Sequence, residues 1–297
     1  MSYLDLYASA SATFGGLQKE FEESDYIVVG VPFDGTSTYR TGARFAPLAI
    51  RQASENIETY SFRSGIDVWQ LGIHDAGDVH VVHNAAETIR RVELIAKEIW
   101  ERGKTPVFVG GEHTLTLGMA KAAGKDVAVV SFDAHLDLRD KYLEESLSHA
   151  TFMRRIKENV QPGAIVEVGT RAVDVEEIDY AKKAEINYFS SQSVIRKGSQ
   201  ELAKEIHNVL SEYDRIYFTV DMDVLDPAFA PAVQNPEPDG LSTGILLDLL
   251  AELCNEHVIG FDLVEVSPHY DSGATEVLAA KIIFEILAHI HMRKKKK

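Results

Sequence analysis

The sequence predicts an α/β fold, with helices packed on both faces of a parallel sheet. Three observations predict it. Short apolar segments alternate with helical patterns along the chain, as in a doubly wound parallel sheet. These segments are rich in Val, Ile and Phe without strict alternation, which is how strands buried on both faces read. Four polar motifs each fall where such a segment ends: GGEH at 110–113, DAHLD at 133–137, DMDVLD at 221–226 and EVSP at 265–268. Ligands in open α/β sheets bind outside the carboxyl ends of the strands.

Taken in order, the eight expected strands are 26–31 (YIVVGV), 66–71 (IDVWQL), 106–109 (PVFV), 127–132 (VAVVSF), 164–168 (AIVEV), 186–189 (INYF), 215–220 (RIYFTV) and 258–264 (VIGFDLV). The clearest helical patterns are 46–57, 84–102, 113–123, 149–159, 199–212, 243–256 and 275–291. In the second, Ile89, Val92, Ile95, Ala96 and Ile99 mark one helical face. No Pro/Ser/Gly-rich linker interrupts the pattern, so one domain is expected over 1–297. Its basic end, 293–297, is expected to be frayed and solvated. Three connections, 33–44, 137–148 and the proline-rich 225–241, are expected to wall a pocket, since long loops in compact domains are usually functional. The first lacks the lysine of a phosphate-binding P-loop.

The chain has 297 residues, 26% charged and 45% apolar, which is ordinary for a globular protein with a large core. Its net charge of −16 argues against nucleic-acid binding and favours cationic ligands. The N-terminus has no basic region followed by an apolar stretch, so no signal peptide is expected. No run reaches the roughly 20 apolar residues of a membrane span. The single cysteine, Cys254, excludes an internal disulfide and points to a reducing cytoplasm. It lies in an apolar helical pattern and is expected in the core.

The strand-end motifs carry the chemistry. Residues 133, 135 and 137 alternate, so in extended backbone they face one side. Asp221 and Asp223 repeat that spacing, and His113 follows the tight Gly110–Gly111 turn. A lone DxD or histidine turn would be structural, because Asp commonly caps helices. Six such groups at three strand ends are different, because unpaired buried carboxylates repel and lose hydration. His113, Asp133, His135, Asp137, Asp221 and Asp223 therefore read as ligands for two divalent metals. Imidazole in the set suits Mn, Fe, Co, Ni or Zn better than Ca. A two-metal site implies hydrolysis.

In their order and spacing, GGEH, DAHLDL, SHATFMRR, FTVDMDVLDPAFAPA, NPEPDGLS and DLVEVSPHYD resemble the ureohydrolase family, which includes arginase and agmatinase. The resemblance runs from about residue 25 to 290. It implies a three-layer α/β/α domain with an eight-stranded parallel sheet, the arginase-like fold. It also implies two Mn(II) ions per chain, with Co, Ni, Fe or Zn as other candidates. His113 and Asp137 would bind one ion and His135 and Asp223 the other, with Asp133 and Asp221 contacting both. By the same resemblance His149 moves protons and Glu265 holds the substrate guanidinium, a planar cation well matched to a carboxylate. A trimer or hexamer is implied as well.

The implied reaction is attack by a metal-bridging hydroxide on the guanidinium carbon. Glu265 orients the substrate, Asp137 passes the proton to the departing amine, and His149 relays protons to solvent. The residues after DAHLD resemble agmatinase-type chains, especially archaeal ones, so agmatine is the expected substrate. Arg139 and Asp140 are expected substrate contacts, and Asp140, Glu144 and Glu145 make an acidic mouth. The DLR tripeptide at 137–139 also occurs in formiminoglutamate hydrolases, where the arginine would hold a substrate carboxylate. Arginine, guanidinobutyrate, formiminoglutamate and guanidine are the alternatives, and a silent polyamine-binding relative is the reading from another class. Gln234, Asn235 and Pro236 depart from the usual GTP of bacterial agmatinases, and Thr219 replaces a frequent Ser.

Overall fold

In a computed structural model, which describes residues 2–9 and 12–295, eight strands lie parallel in one sheet. They are β1 (Tyr26–Val31), β2 (Ile73–Val79), β3 (Thr105–Gly110), β4 (Ala128–Phe132), β5 (Ala164–Thr170), β6 (Asn187–Ser190), β7 (Ile216–Asp221) and β8 (Val258–Val264). Their order is β2-β1-β3-β8-β7-β4-β5-β6, and all pairings among them are parallel. The short segment Ala8–Ser9 adds antiparallel to the outer edge of β2. The order sets β3, β8, β7 and β4 side by side, so the four polar motifs emerge from four adjacent strands.

Successive residues of a strand feed opposite layers. Tyr26 and Val28 pack with Ile50 and Ile283, while Ile27 and Val29 pack with Val92 and Met119. One layer holds helices Ala46–Ser54, Ser191–Lys197, Ser199–Leu210, Thr243–Leu253 and Ala274–Lys294. The other is built mainly of Ala85–Glu101, Thr116–Ala123, Phe152–Asn159 and Val175–Lys183. This is the three-layer arrangement expected. Cys254 is buried in the first layer.

The strand expected at 66–71 is not in this sheet. Ile66–Asp67 pairs with Tyr60–Ser61 in a separate ribbon, and Val68–Gln70 forms a 3-10 turn. The sheet strand is β2, IHDAGDV, whose burial alternates. Its polar residues disguised it. The other strands agree within two residues at either end. Helices Val175–Lys183 and Ser191–Lys197 were not expected. The pattern at 149–159 becomes helix only at Phe152, because Thr151 folds back on Ser148 in a turn. The last helix continues through Lys294, whose ammonium donates to Thr105 Oγ1 at 3.0 Å. Residues 296 and 297 of the basic end lie outside the described residues. No helix among the described residues is long and apolar enough to cross a membrane.

Arg51 ties helix Ala46–Ser54 to β2. Its Nε and Nη2 donate to Asp75 at 2.7 and 2.8 Å, and its Nη1 donates to Asp78 at 2.5 Å. Arg51 and Asp75 are both fully buried. Replacing Arg51 by Ala would strand Asp75 without a countercharge. We expect Arg51→Ala to lose about 3–5 kcal/mol of stability in urea denaturation. A loss below about 1 kcal/mol would place this pair among ion pairs of little net worth.

Candidate metal centre

The GGEH turn is held by close backbone approach. A Cβ on Gly111 would lie 1.9 Å from Phe33 O, so only glycine fits. Glu112 N–H donates to Phe33 O at 2.8 Å, which clamps the 33–44 segment against the turn. Glu265 N–H donates to Gly111 O at 2.8 Å, and His113 N–H donates back to Glu265 Oε1 at 2.6 Å. Glu265 has φ 70° and Asp137 φ 50°. Left-handed backbone at a non-glycine residue costs on the order of 1–3 kcal/mol. Both strained positions belong to the predicted site.

The side chains converge. His113 Nδ1 lies 3.0 Å from Asp133 Oδ2, 3.1 Å from Asp221 Oδ2 and 3.8 Å from Asp137 Oδ2. His135 Nδ1 lies 3.1 Å from Asp223 Oδ2 and 3.5 Å from Asp133 Oδ1. Two triads, His113–Asp133–Asp221 and Asp133–His135–Asp223, each place three donor atoms within 4.8 Å of one another. Asp133 belongs to both. All six predicted ligands thus meet at one sheet edge, with Asp137 beside the first triad.

Electrostatics shows what kind of partner the site favours. Burial raises the pKa of Asp137, Asp221 and Glu265 well above the usual carboxylate range, and neighbouring carboxylates add to it. Burial also opposes charge on His113, yet the hydrogen bond and charge of Asp133 push it up to about 9. Burial works against ionised Asp133, but hydrogen bonds from His113 and His135 outweigh it and hold its pKa low. The cluster attracts positive charge, and its imidazole and carboxylate donors fit divalent cations.

A further layer orients His113. Thr219 Oγ1 donates to Asp262 Oδ1 at 2.5 Å, so it accepts from His113 Nε2–H at 2.7 Å. His113 Nδ1 is thereby aimed at the carboxylates, and a metal ion there would take the place of the Nδ1 proton. Asp262 also accepts from Thr116 at 2.9 Å and Tyr217 at 2.6 Å. Phe152 stacks on the ring at 4.1 Å. Only Thr219 of this layer was noted in the sequence, and then only as a departure.

A cavity of about 380 Å³ opens beside the triads. Its walls include His135, Asp137, Arg139, Tyr142, His149 and Glu265. Glu265 Oε2 is buried and has no hydrogen-bond partner among the described residues. His149 is buried, and burial with the charge of His135 lowers its pKa to about 4, so its ring is neutral at neutral pH.

Other expected contacts fall differently. Arg139 Nη1 pairs with Asp174 Oδ2 at 2.6 Å, and its Nη2 lies 3.6 Å from Glu177 Oε2. Asp140 turns outward to Arg155 at 2.8 Å and does not line the cavity. Neither Glu144 nor Glu145 lines it; the acids that do, besides the site carboxylates, are Glu177 and Glu237. Glu177 completes the capping box of a helix that the sequence did not reveal. Asn235 lines the cavity, whereas Gln234 is fully buried and does not. Arg171 was also missed. It donates to the carbonyls of Gly169, Asp223, Val224, Leu225, Glu237 and Pro238, and so staples the 225–241 loop to the ligand strand.

The sequence model of the Arginase family matches residues 24–289. Agmatinase of Bacillus anthracis is 36% identical over 274 residues, covering 90% of this chain and 92% of that one. N(1)-aminopropylagmatine ureohydrolase of Thermococcus kodakarensis is 34% identical over 281 residues, covering 92% and 94%. The crystal structure of agmatine ureohydrolase of Thermoplasma volcanium has a TM-score of 0.87 at 38% identity and covers 94% of each chain. The chain belongs to the arginase family, hydrolases that act on guanidino C–N bonds. Within that family it is an agmatinase-like ureohydrolase.

If Thr219 orients His113, Thr219→Val should weaken metal binding by about 10–100-fold, the usual cost of losing a ligand's supporting partner. Chelator competition reads this directly, and wild-type affinity would show the hydrogen bond to be idle. Asp133→Asn should weaken both sites together, because both triads share that carboxylate.

Proposed function

We propose that the protein hydrolyses agmatine to urea and putrescine in the cytoplasm, as a manganese-loaded homo-oligomer (a trimer or hexamer) serving polyamine biosynthesis. The observation that carries the reading is Glu265. Its buried Oε2, without a hydrogen-bond partner among the described residues, belongs to the cavity wall beside two triads that could hold metal ions, where a guanidinium would supply the missing donors.

His113, Asp133, His135, Asp137, Asp221 and Asp223 would hold the metal pair. When bound, the pair supplies Lewis acidity and an acidified water at neutral pH. Glu265 fixes the guanidinium plane. Asp137, inside the cavity, takes a proton from the nucleophile and returns it to the departing amine. His149, a neutral ring in the cavity wall, exchanges protons between the site and solvent.

The tail of the substrate argues for agmatine. Arg139, the sole Lys or Arg in the wall among the described residues, is already paired with Asp174 and lies near Glu177. A substrate carboxylate would have to break that arrangement, whereas an ammonium would meet Glu177 and Glu237. A longer polyamine tail is the second reading, favoured by the Thermococcus kodakarensis relative and by Glu237 on the wall.

A urea-release screen on manganese-loaded protein tests both readings. We expect kcat/KM for agmatine at least about tenfold above arginine, or roughly 1.4 kcal/mol. Preference for arginine or formiminoglutamate would overturn the agmatine assignment. His149→Ala should keep both metals and lose about 10²-fold or more in kcat. Unchanged kcat across the pH range would remove His149 from the mechanism.

A further inference from the structure

Glu112 and Thr36 lie outside the two triads, yet Glu112 bonds to Thr36, and Thr36 to His149. Thr36 N–H donates to Glu112 Oε2 at 2.7 Å, and Thr36 Oγ1–H donates to Glu112 Oε1 at 2.6 Å. Thr114 also donates its hydroxyl to Oε1. Glu112 is fully buried and is gripped on both oxygens. The Gly111 contact with Phe33 makes this meeting possible, because it presses the 33–44 segment onto the GGEH turn.

The direction of these bonds has a consequence. A threonine hydroxyl has one proton to give. That of Thr36 goes to the carboxylate, the strongest acceptor within reach. Toward His149 the Thr36 oxygen can therefore only accept. It lies 3.0 Å from His149 N and 3.3 Å from His149 Nδ1. At the far side of the ring, Thr38 Oγ1 lies 3.4 Å from Nε2. Tyr142 packs edge-on against the ring at 5.9 Å and 88°, which restrains its rotation.

We propose that Glu112, acting through Thr36, is a positioning residue that holds neutral His149 as the Nδ1–H tautomer, with the Nε2 lone pair turned to Thr38 and the substrate cavity. Nε2 is then the atom that takes up a proton. The inference deepens the proposed role of His149 and rests on it for its catalytic meaning. The tautomer itself can be read without turnover.

The Glu112→Gln variant makes the sharpest test. Thr36 N–H is an obligate donor, so the new amide must present its carbonyl there and its NH2 to the Thr36 hydroxyl. Thr36 would then donate its proton to His149 Nδ1, and the ring proton would move to Nε2. Thr36→Val removes the hydroxyl altogether, and Thr36→Ser restores it.

Solid-state 15N NMR of zinc-loaded, histidine-labelled protein near pH 8, with His149→Ala for assignment, reads the tautomer. The expected spectrum has a protonated Nδ1 and a bare Nε2 at His149 in wild type and in Thr36→Ser. Glu112→Gln should show the reverse, and Thr36→Val should lose the strict preference. With agmatine, Thr36→Val should lower kcat at least about tenfold with KM changed less than about twofold, since a wrong tautomer impairs proton transfer far more than binding. A wild-type proton on Nε2 would overturn the proposal, as would an unchanged tautomer in both Glu112→Gln and Thr36→Val. The wild-type spectrum decides the tautomer even if a variant fails to fold. Lack of wild-type turnover with every guanidine would overturn the functional reading alone.

Discussion

Five carboxylates with little access to water crowd the carboxyl ends of three adjacent strands, β8, β7 and β4, and the rest of the site depends on balancing them. Asp133, Asp137, Asp221, Asp223 and Glu265 are all buried. Such groups ionise only where positive charge or hydrogen bonds compensate lost hydration. His113 and His135 supply part of that compensation to Asp133, and Asp137, Asp221 and Glu265 are left with raised pKa values. On the proposed function, two cations at the triads and a guanidinium against Glu265 would supply the remainder. The sheet order β3-β8-β7-β4 is what makes the crowding unavoidable.

Orientation of the histidines comes from a deeper layer. Asp262 reaches His113 through Thr219, and Glu112 reaches His149 through Thr36. Each threonine gives its only proton to a buried carboxylate and so becomes an acceptor for an imidazole N–H. His113 presents Nδ1 to the carboxylates, while proposed His149 presents Nε2 to the cavity. One device would thus serve both the proposed ligand and the proposed proton carrier, using opposite ring nitrogens. Arg171 does related work on the backbone, fixing the 225–241 loop by its carbonyls.

The parts of this site that could be read in the sequence are those that end apolar strands. DAHLD and DMD stood out because buried β4 and β7 run directly into them. The β2 strand was missed because Asp75 and Asp78 serve Arg51, a partner separated by 24 and 27 positions, and nothing local announces that pairing. The supporting residues were hidden for the same reason: Thr219 looks like any strand residue until Asp262 lies beside it. Helix Val175–Lys183 has a polar face and a short run of apolar positions, so its periodicity was weak, although Asp174 and Glu177 form a capping box. Asp140 and Glu144 were expected at the mouth from their place in the chain. The turn at Leu143 and Glu144, with φ 48° and 68°, accompanies a loop in which neither acid lines the cavity.

The central claim is that two metals share Asp133 at the end of β4. Anomalous diffraction from manganese-loaded crystals tests it most directly. The account predicts two peaks roughly 3.5–4 Å apart, one beside His113 and one beside His135, with Asp133 touching both. A single peak, or a pair that Asp133 does not bridge, would contradict it.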